Sequence, residues 1–333
     1  MVGVPVHCSR RRAIALGTGL GLAALVGGCD RWRDKPIAVA AHVWPGYEPI
    51  FLAQREGWLD HQQVQLLETR SATESLHALA TGKAQGAALT LDEVLRARAG
   101  GMSLTVVLIF DISAGADMLL ARHPIQRLAD IKGRRVGFEP GAVGELMLAQ
   151  ALGAAGLERQ DVALVPVSID QQQGAWLRKE LDAVITYEPV ASRLLAQDAE
   201  RLYDSRQIPN TIVDVLAVRS DALDREDRAS AVRHLVAAHF RALDHFRRNP
   251  QDAAYRMTRH LNLPVAQVLP AFKGLVLPDA LHNQRLLGGA EPELLASAHK
   301  LVQVMLRSQL LTQEDSLNSL VRADFLPAES LTN

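Results

Sequence analysis

Residues 37–48, with the sequence IAVAAHVWPGYE, indicate the fold class of this chain. Ile37–His42 is an apolar run suited to a buried strand. The run stops in the turn Trp44-Pro45-Gly46-Tyr47, and Glu48-Pro49 then leads into a helix-like segment, Ile50–Leu59. A strand that ends in a Pro/Gly turn and opens a helix is the usual start of an α/β unit.

This turn also supplies the first candidate ligand-binding residues. In open α/β sheets the ligand crevice lies beyond the carboxyl ends of the strands. Trp44 and Tyr47 would lie at that edge, where their flat rings can pack on a small molecule. The alternative is that both rings only cover the end of the sheet.

The N-terminal segment has the features of an export signal. Ser9–Arg12 is basic, and Ala13–Val26 is an apolar, glycine-rich run that is too short to span a bilayer comfortably. We therefore predict a signal peptide over residues 1–28, followed by a short polar tether at 29–35.

The end of the signal peptide resembles a bacterial lipoprotein box, since small residues precede Cys29. We expect Cys29 to be lipidated; an uncleaved anchor or an ordinary signal peptide is the alternative. Ser9–Arg12 also resembles a twin-arginine signal, which leaves the export route open. Asp30 resembles the signal that keeps lipoproteins on the inner membrane. The expected location is the periplasmic side of that membrane.

Length, charge and cysteine content narrow the possible classes. A chain of 333 residues is long for one compact core and fits two lobes. It has no long run of like charge, so it shows no nucleic-acid footprint. Removing residues 1–28 takes away three arginines and no acid, which changes the formal charge from −1 to −4.

The signal peptide also contains Cys8, so Cys29 is the sole cysteine of the predicted mature chain. That chain therefore has no intrachain disulfide and no cysteine metal site, and we predict neither a metal nor a cofactor. No second apolar run reaches transmembrane length, so the mature body is expected to be soluble and tethered.

Strand and helix patterns alternate as β-α-β-α-β-α-β up to the strand Leu104–Phe110, which implies a mostly parallel sheet with helices on its faces. Residues 111–117 read as a crossing into a second lobe with its own alternation. The strand Asp214–Val218 would return the chain to the first lobe, and the pattern from Ser220 onward is helical. The predicted fold is thus α/β with two lobes.

The predicted boundaries place lobe 1 at residues 36–112 and 215–330 and lobe 2 at 113–214. Two helix starts have capping signals. Ser71 or Thr73 could cap one helix. Thr90 with Glu93 three residues later is a capping-box pattern for the next.

Nine segments in order carry a family resemblance: Trp44–Tyr47, Phe51–Ala53, Gly57–Leu59, Ser71–Glu74, Leu79–Gly82, Ala87–Glu93, Ser113–Asp117, Leu128–Val136 and Leu181–Pro189. Together they resemble the nitrate/taurine/alkanesulfonate class of bacterial solute-binding proteins, an SsuA/THI5-like family with relatives that bind thiamine pyrimidine precursors. The resemblance implies a periplasmic binding protein of type II, with a hinge and a cleft between two α/β lobes. Such proteins close on a ligand and present it to an ABC permease.

By analogy with that family, the cleft is built from loops that follow strands. The candidate ligand-binding residues are Trp44, Tyr47, Ser71, Thr73, Thr90, Asp92, Ser113, Asp117, Glu139, Glu188 and Asp214. Capping is the alternative role for Ser71 and Thr73. The alternative role for Glu188 is that of an acid favoured at a helix N-terminus by the helix dipole, and the alternative for Asp214 is a contact that only fixes the hinge.

The acids in these loops bear on the ligand. Asp117, Glu139, Glu188 and Asp214 outnumber the one clear loop cation, Arg70. A site for a bare sulfonate or nitrate needs donors and positive charge. An acid-lined cleft fits a cationic or amine-bearing solute, although helix N-termini can bind an anion without side-chain cations.

The expected function is the substrate-binding component of an ABC importer that takes a small polar solute, either of the nitrate/sulfonate/taurine class or a thiamine-pyrimidine or amine-like compound. The expected partners are the permease and ATPase subunits and the membrane through Cys29, with the protein itself a monomer. A ligand-sensing module for a membrane signalling partner is the alternative.

A thiamine-pyrimidine synthase-like enzyme is the remaining alternative. Those synthases carry a cysteine-rich motif that this chain lacks, and His42 at a strand end is more often structural. No nucleophile-elbow, zinc-protease or phosphate-loop motif is present. We therefore expect no enzymatic activity.

Overall fold

The computed structural model describes residues 1–3 and 35–328. Its contacts separate Met1–Lys35 from Pro36–Asn333, and the fold below is that of the second unit. Apart from residues 1–3 and Lys35, the predicted signal peptide, the lipidation site Cys29 and the tether lie outside the described residues. In the described part of the chain, no helix is both long enough and apolar enough to cross a membrane.

The elements follow one another in three groups. The first group is β1 (Ile37–His42), α1 (Glu48–Arg55), β2 (Val64–Thr69), α2 (Ala72–Ala80), β3 (Gly86–Thr90), α3 (Leu91–Ala99) and β4 (Leu104–Ser113). The second is β5 (Met118–Arg122), β6 (Arg135–Phe138), α4 (Val143–Ala155), β7 (Ala163–Pro166), α5 (Ile169–Leu177), β8 (Ala183–Thr186), α6 (Val190–Leu195) and β9 (Ala199–Asp204). The third is β10 (Val213–Arg219), α7 (Ser220–Leu223), α8 (Glu226–Arg248), α9 (Pro250–Leu261), α10 (Val265–Ala271), β11 (Leu275–Val276), α11 (Ala280–Leu287) and α12 (Glu293–Arg307).

The strands form two sheets. The first sheet has the order β11-β4-β10-β3-β1-β2, and the second has the order β7-β6-β8-β5-β9. In the first, β1 pairs parallel with β2 and β3, whereas β10 pairs antiparallel with both β3 and β4. In the second, β6 pairs parallel with β7 and β8, and β5 pairs antiparallel with β8 and β9.

The prediction of a mostly parallel first sheet is therefore wrong: both sheets are mixed. The reason is a long-range pairing that local patterns do not encode, because β10 returns from the far side of the second sheet and inserts between β3 and β4. The strands themselves were predictable, since the centre of the first sheet is apolar on both faces. Val39, Leu89 and Leu216 are fully buried there.

Several element boundaries differ from the prediction. Helix α1 begins at Glu48 rather than Ile50, because Pro49 occupies the first turn, where a missing N–H costs nothing. It ends at Arg55, just before Gly57 turns the chain in a left-handed conformation with φ of 69°. Strand β9 was not predicted, because an edge strand with exposed charged residues lacks an apolar run.

The two sheets draw on separate parts of the chain. The first takes strands from Ile37–Ser113, Val213–Arg219 and Leu275–Val276, and the second takes strands from Met118–Asp204. On this basis we propose two lobes, one at residues 36–112 and 215–330 and the other at 113–214.

Candidate functional site

A narrow cavity lies between the two sheets, beyond the carboxyl ends of β1 and β3. It encloses about 250 Å³ of empty space, including some open to solvent. Its lining residues are His42, Trp44, Tyr47, Ala72, Thr90, Glu93, Asp117, Val143, Tyr187 and Asp214. We call this space the central cavity. Five of the eleven candidate residues line it: Trp44, Tyr47, Thr90, Asp117 and Asp214.

The turn after β1 shapes one wall of the cavity. Trp44 donates its indole N–H to Asp111 Oδ2 at 3.0 Å, and the Tyr47 hydroxyl donates to Asp214 Oδ1. Both rings are buried, at 3% and 0% exposure. Gly46 lets this turn pack closely, since a Cβ there would lie 1.7 Å from Asp111 Oδ2. The two rings thus fasten the turn to the sheet and also face the cavity.

Four aromatic rings meet around the space. The Trp44 and Tyr187 centroids are 5.3 Å apart with the planes at 89°, and those of His42 and Tyr47 are 5.3 Å apart at 87°. His42 also lies 5.8 Å from Tyr187. Sequence reasoning did not select Tyr187 and interpreted His42 as structural. Their positions directly after β8 and at the end of β1 were the available signal.

Carboxyl groups form the polar part of the wall. Glu93, Asp117 and Asp214 line the central cavity, and Asp111 lies behind it, opposite Asp214 in the pairing of β10 with β4. Burial raises the pKa of Glu93 to about 8, with the Asp92 charge adding to the effect. Burial likewise raises the pKa of Asp111 to about 8 and that of Asp117 to about 7.

The pKa of Asp214 is raised well above its ordinary value, first by burial and then by the Asp111 charge. Two carboxyl groups this close in a buried setting resist ionising together. The pKa of His42 is lowered to about 4, because burial outweighs the attraction of Glu139. The imidazole is therefore neutral at neutral pH, and the acids beside it lie near the protonated form.

Several polar atoms in the cavity wall make no hydrogen bond to the described residues. They include Asp117 Oδ2, the Tyr187 hydroxyl and His42 Nδ1. The three residues are 3%, 6% and 5% exposed. A buried polar group without a partner costs roughly 1–3 kcal/mol, so such groups are rare unless a ligand or water completes them. Their concentration at one cavity marks it as a binding site candidate.

Hydrogen bonds bridge the two sheets beside the cavity. Thr73 at the start of α2 donates its hydroxyl to Glu139 Oε1 at 2.6 Å and its main-chain N–H to the same oxygen at 3.1 Å. Glu93 of α3 accepts the Val143 N–H at 3.0 Å. Arg96 and Glu145 add an ion pair at 2.7 Å. These contacts hold the two sides of the cavity together.

Other candidate residues have a partner within the protein instead. Ser71 is the N-cap of α2 and accepts the Glu74 N–H at 3.3 Å. Asp92 accepts the Thr90 hydroxyl at 2.7 Å, and Ser113 Oγ lies 2.8 Å from Ser205 Oγ. For Ser71 the structure shows the capping role directly. For Thr90, the Glu93 half of the predicted capping box is present, since Glu93 Oε2 accepts the Thr90 N–H.

Glu188 lies at a different cavity. Its carboxylate accepts the N–H of Ser192 at 3.2 Å and the Ser192 hydroxyl at 3.0 Å. The space beside it, about 600 Å³, is also lined by Arg201, Arg206 and Lys273. The structure does not bring Glu188 together with the other acids.

The central cavity has no lysine or arginine among its lining residues in the described part of the chain. Arg70, the one loop cation noted in the sequence, is exposed and pairs with Glu74 at 3.1 Å. The chemistry that the cavity offers is therefore aromatic faces, carboxyl oxygens, two phenol groups and a neutral imidazole.

Comparison with known proteins gives a family and a fold. The family model described as NMT1/THI5 like matches residues 44–253. A protein of Brucella abortus named as a binding protein is 23% identical over 157 residues, which cover 46% of this chain and 49% of that protein. The chain thus matches about half the length of this curated relative.

Two solved structures show the same fold. The alkanesulfonate-binding protein SsuA from Xanthomonas axonopodis pv. citri is 17% identical, with a TM-score of 0.72 over 87% of this chain and 99% of that one. The desulfurization enzyme DSZB is 19% identical, with a TM-score of 0.60 over 87% of this chain and 97% of that one. These likenesses confirm the predicted α/β fold of a periplasmic binding protein, a fold that here includes both binding proteins and an enzyme.

Proposed function

Because the chain belongs to the NMT1/THI5-like family, we propose that it is the solute-binding component of an ABC importer. It captures a small polar solute in the central cavity and delivers it to a membrane permease. The solute belongs either to the nitrate, sulfonate and taurine class or to amine-like and pyrimidine compounds.

One observation carries this proposal. The central cavity lies between the two sheets and holds buried polar atoms without a protein partner, including Asp117 Oδ2 and the Tyr187 hydroxyl. Hydrogen bonds from Thr73 to Glu139 and from Val143 to Glu93 join the two sides directly beside it. A site between two bodies that can separate gives a solute a way in and out, and hinge closure then encloses it.

Location and partners follow from the same proposal. The protein is exported and held by a lipid on Cys29 at the periplasmic face of the inner membrane, where it acts as a monomer beside permease and ATPase subunits. The lipid keeps the loaded protein near the permease, which favours transport over solute sensing for a signalling partner.

We propose no catalytic step for the cavity. With pKa values of about 8 and about 7, Glu93 and Asp117 are at least half protonated at neutral pH. The imidazole of His42 makes no hydrogen bond through Nδ1 to the described residues. Neither a nucleophile activated by a base nor a base oriented by a third group is assembled there. Binding without chemistry is what these groups support.

The test is a thermal-shift screen of the purified protein with nitrate, taurine, alkanesulfonates, thiamine and its pyrimidines, polyamines and quaternary amines. A ligand that binds only the folded state raises the melting temperature by mass action. We expect one class to do so, and we expect mass spectrometry to recover that ligand unchanged.

A matched pair of variants connects the shift to the central cavity. Tyr187→Phe removes a buried hydroxyl from its wall, whereas Tyr255→Phe changes a ring that is 72% exposed. The first variant should reduce the shift and the second should not. Equal loss in both, or conversion of the ligand to a product, contradicts the proposal.

A further inference from the structure

We propose that the solute of the central cavity is a small organic cation that carries N–H donors, an inference that rests on the proposed function. Three features of the wall support it: unpartnered carboxyl and phenol oxygens, crossed aromatic rings, and helix N-termini already occupied by the protein's own acids. Each feature is independent of the family to which the chain belongs.

The first feature is the supply of acceptors. Asp117 Oδ2 and the Tyr187 oxygen lie in the wall with no hydrogen-bond partner in the described residues. Asp214 and Glu93 add carboxyl groups to the same wall, and no lysine or arginine balances them among the lining residues described. A ligand with charged N–H donors satisfies these oxygens through charge-assisted hydrogen bonds, which are about twice as strong as neutral ones.

The second feature is the aromatic surface. Trp44 and Tyr187 meet nearly edge to face, and Tyr47 and His42 complete a set of rings around the same space. Aromatic faces attract cations through their quadrupole, and the attraction is strongest where the contact excludes water. The same faces offer nothing comparable to a sulfonate or nitrate.

The third feature concerns the amides that an anion would need. Helix N-termini bind anions through their free N–H groups. At α2, Thr73 N donates to Glu139 Oε1. At α4, Val143 N donates to Glu93 Oε1, and at α5, Ile169 N donates to Glu139 Oε2. One N–H at the start of each of these three helices is therefore already bonded to a carboxyl oxygen of the protein itself and is not free to bind an anionic ligand.

Size also constrains the ligand. In this structure the central cavity leaves only about 10 Å³ for the centre of a water-sized molecule, which is about enough for one water. A solute therefore enters only when the two sides of the cavity separate, which is the opening that the proposed function requires.

Protonation distinguishes a cation from an anion. Asp117 is faced by Asp92, Glu93, Asp111, Asp214, Tyr187 and His42, with Arg96 beyond Asp92. A cation stabilises the ionised carboxylates, so its binding lowers their pKa values and releases protons. Its affinity consequently rises with pH through the range in which these groups titrate, whereas an anion shows the reverse dependence.

The experiment uses three probes of nearly the same shape: benzamidine as a cation, benzamide as a neutral molecule and benzoate as an anion. Their affinities for the purified protein are measured by calorimetry at several pH values, in buffers of different ionisation enthalpy. We expect benzamidine to bind at least roughly tenfold more tightly than benzoate, to bind better as pH rises, and to release protons. Ethanesulfonate is a fourth probe for the family's anionic class.

Variants and outcomes complete the test. Asp117→Asn should weaken benzamidine binding and reduce the proton release, while Glu200→Gln, which removes an exposed charge from β9, should change neither.

Tighter binding of benzoate or ethanesulfonate than of benzamidine overturns the inference but leaves the proposed function intact. If all four probes fail, a small-molecule extract is separated by charge and each fraction is assayed. Binding only in the cationic fraction supports the inference, binding in the anionic or neutral fraction overturns it, and binding in no fraction overturns the proposed function as well.

Discussion

Thr73 and Glu139 are joined by two hydrogen bonds to one oxygen: the Thr73 hydroxyl lies 2.6 Å from Glu139 Oε1 and the Thr73 main-chain nitrogen lies 3.1 Å from it. Thr73 belongs to α2 beside the first sheet, and Glu139 follows β6 of the second. This pair therefore connects elements of the two sheets directly, as does the hydrogen bond from the Val143 N–H to Glu93, two residues that line the central cavity.

Thr73→Val should loosen that connection. A hydrogen bond contributes about 0.5–1.5 kcal/mol, so its loss should raise the population of the open state roughly two- to tenfold. Hydrogen exchange of the Val143 amide, which donates across the same boundary, is the measurement. Thr81→Val is the control, because its hydroxyl bonds to His77 O at the other end of α2. Unchanged Val143 exchange in Thr73→Val contradicts the prediction.

Gly46→Ala should destabilise the fold. The added Cβ would meet Asp111 Oδ2 at 1.7 Å and Asp111 Cγ at 2.6 Å, which forces the buried aspartate away from Trp44. Overpacking of this kind costs about 1–3 kcal/mol, measurable as a lower midpoint in urea unfolding. Gly153→Ala is the control: the new methyl has open space in α4 and replaces a poor helix former. A stability of Gly46→Ala equal to that of the parent protein argues against this packing.

The ligand-free protein should lose stability with rising pH through Asp117. Burial raises the pKa of this carboxyl from 3.8 to about 7, so the folded state holds a proton that the unfolded chain releases. Its contribution to the free energy of unfolding is full below 3.8 and is lost as pH rises through about 7. His42 contributes in the opposite direction between about 4 and 6.5, but it does so equally in an Asp117 variant.

The measurement is the difference in melting temperature between Asp117→Asn and the parent protein across this pH range. The melting temperature of Asp117→Asn should rise relative to that of the parent protein as pH increases, because the variant lacks the carboxyl group whose ionisation favours the unfolded chain. Glu200→Gln at an exposed position should show no such trend. A difference that is constant with pH would rule out the raised pKa.

Glu188→Gln should leave binding of a ligand in the central cavity within about twofold of the parent protein, because the Glu188 side chain lines a different space and shares no hydrogen-bond partner with the wall of the central cavity. Its carboxylate bonds to Ser192 and lies beside Arg201 and Arg206 in the other cavity. Asp117→Asn, compared in the same titration, should weaken binding clearly. A large loss in Glu188→Gln would show that the ligand reaches the second cavity and restore Glu188 as a contact.

Cys29→Ser should release the protein from the membrane. If Cys29 carries the lipid, its replacement removes the acyl chains whose burial holds the protein in the bilayer. After fractionation of expressing cells, the variant should be found in the soluble periplasmic fraction instead of the membrane fraction. Its mass, measured by mass spectrometry, should lack the lipid. Arg31→Lys, which keeps the charge of the tether and the cysteine, should remain at the membrane. A protein that stays bound after Cys29→Ser points to an uncleaved anchor.

The sequence by itself determined many of the local elements and supplied several candidate residues that line the central cavity. An apolar run gave β1 with its observed boundaries, Ile37–His42, because a buried strand needs a continuous apolar stretch. The turn after β1 was a candidate because residues directly after a strand lie at the carboxyl edge of its sheet, and Asp117 was a candidate through the family resemblance. Trp44, Tyr47 and Asp117 all line the central cavity.

Only the tertiary structure decided which of these residues meet. The pairing of β10 between β3 and β4 places Asp214 opposite both Thr90 and Asp111, and no local pattern encodes a partner so far away in the chain. Tyr187 and His42 line the same cavity because the second sheet packs close to the first. Glu188, next to Tyr187 in the chain, lines a different space. Sequence periodicity fixes which face of its own element a side chain occupies, but the charge and shape of a cavity depend on how the separate elements pack.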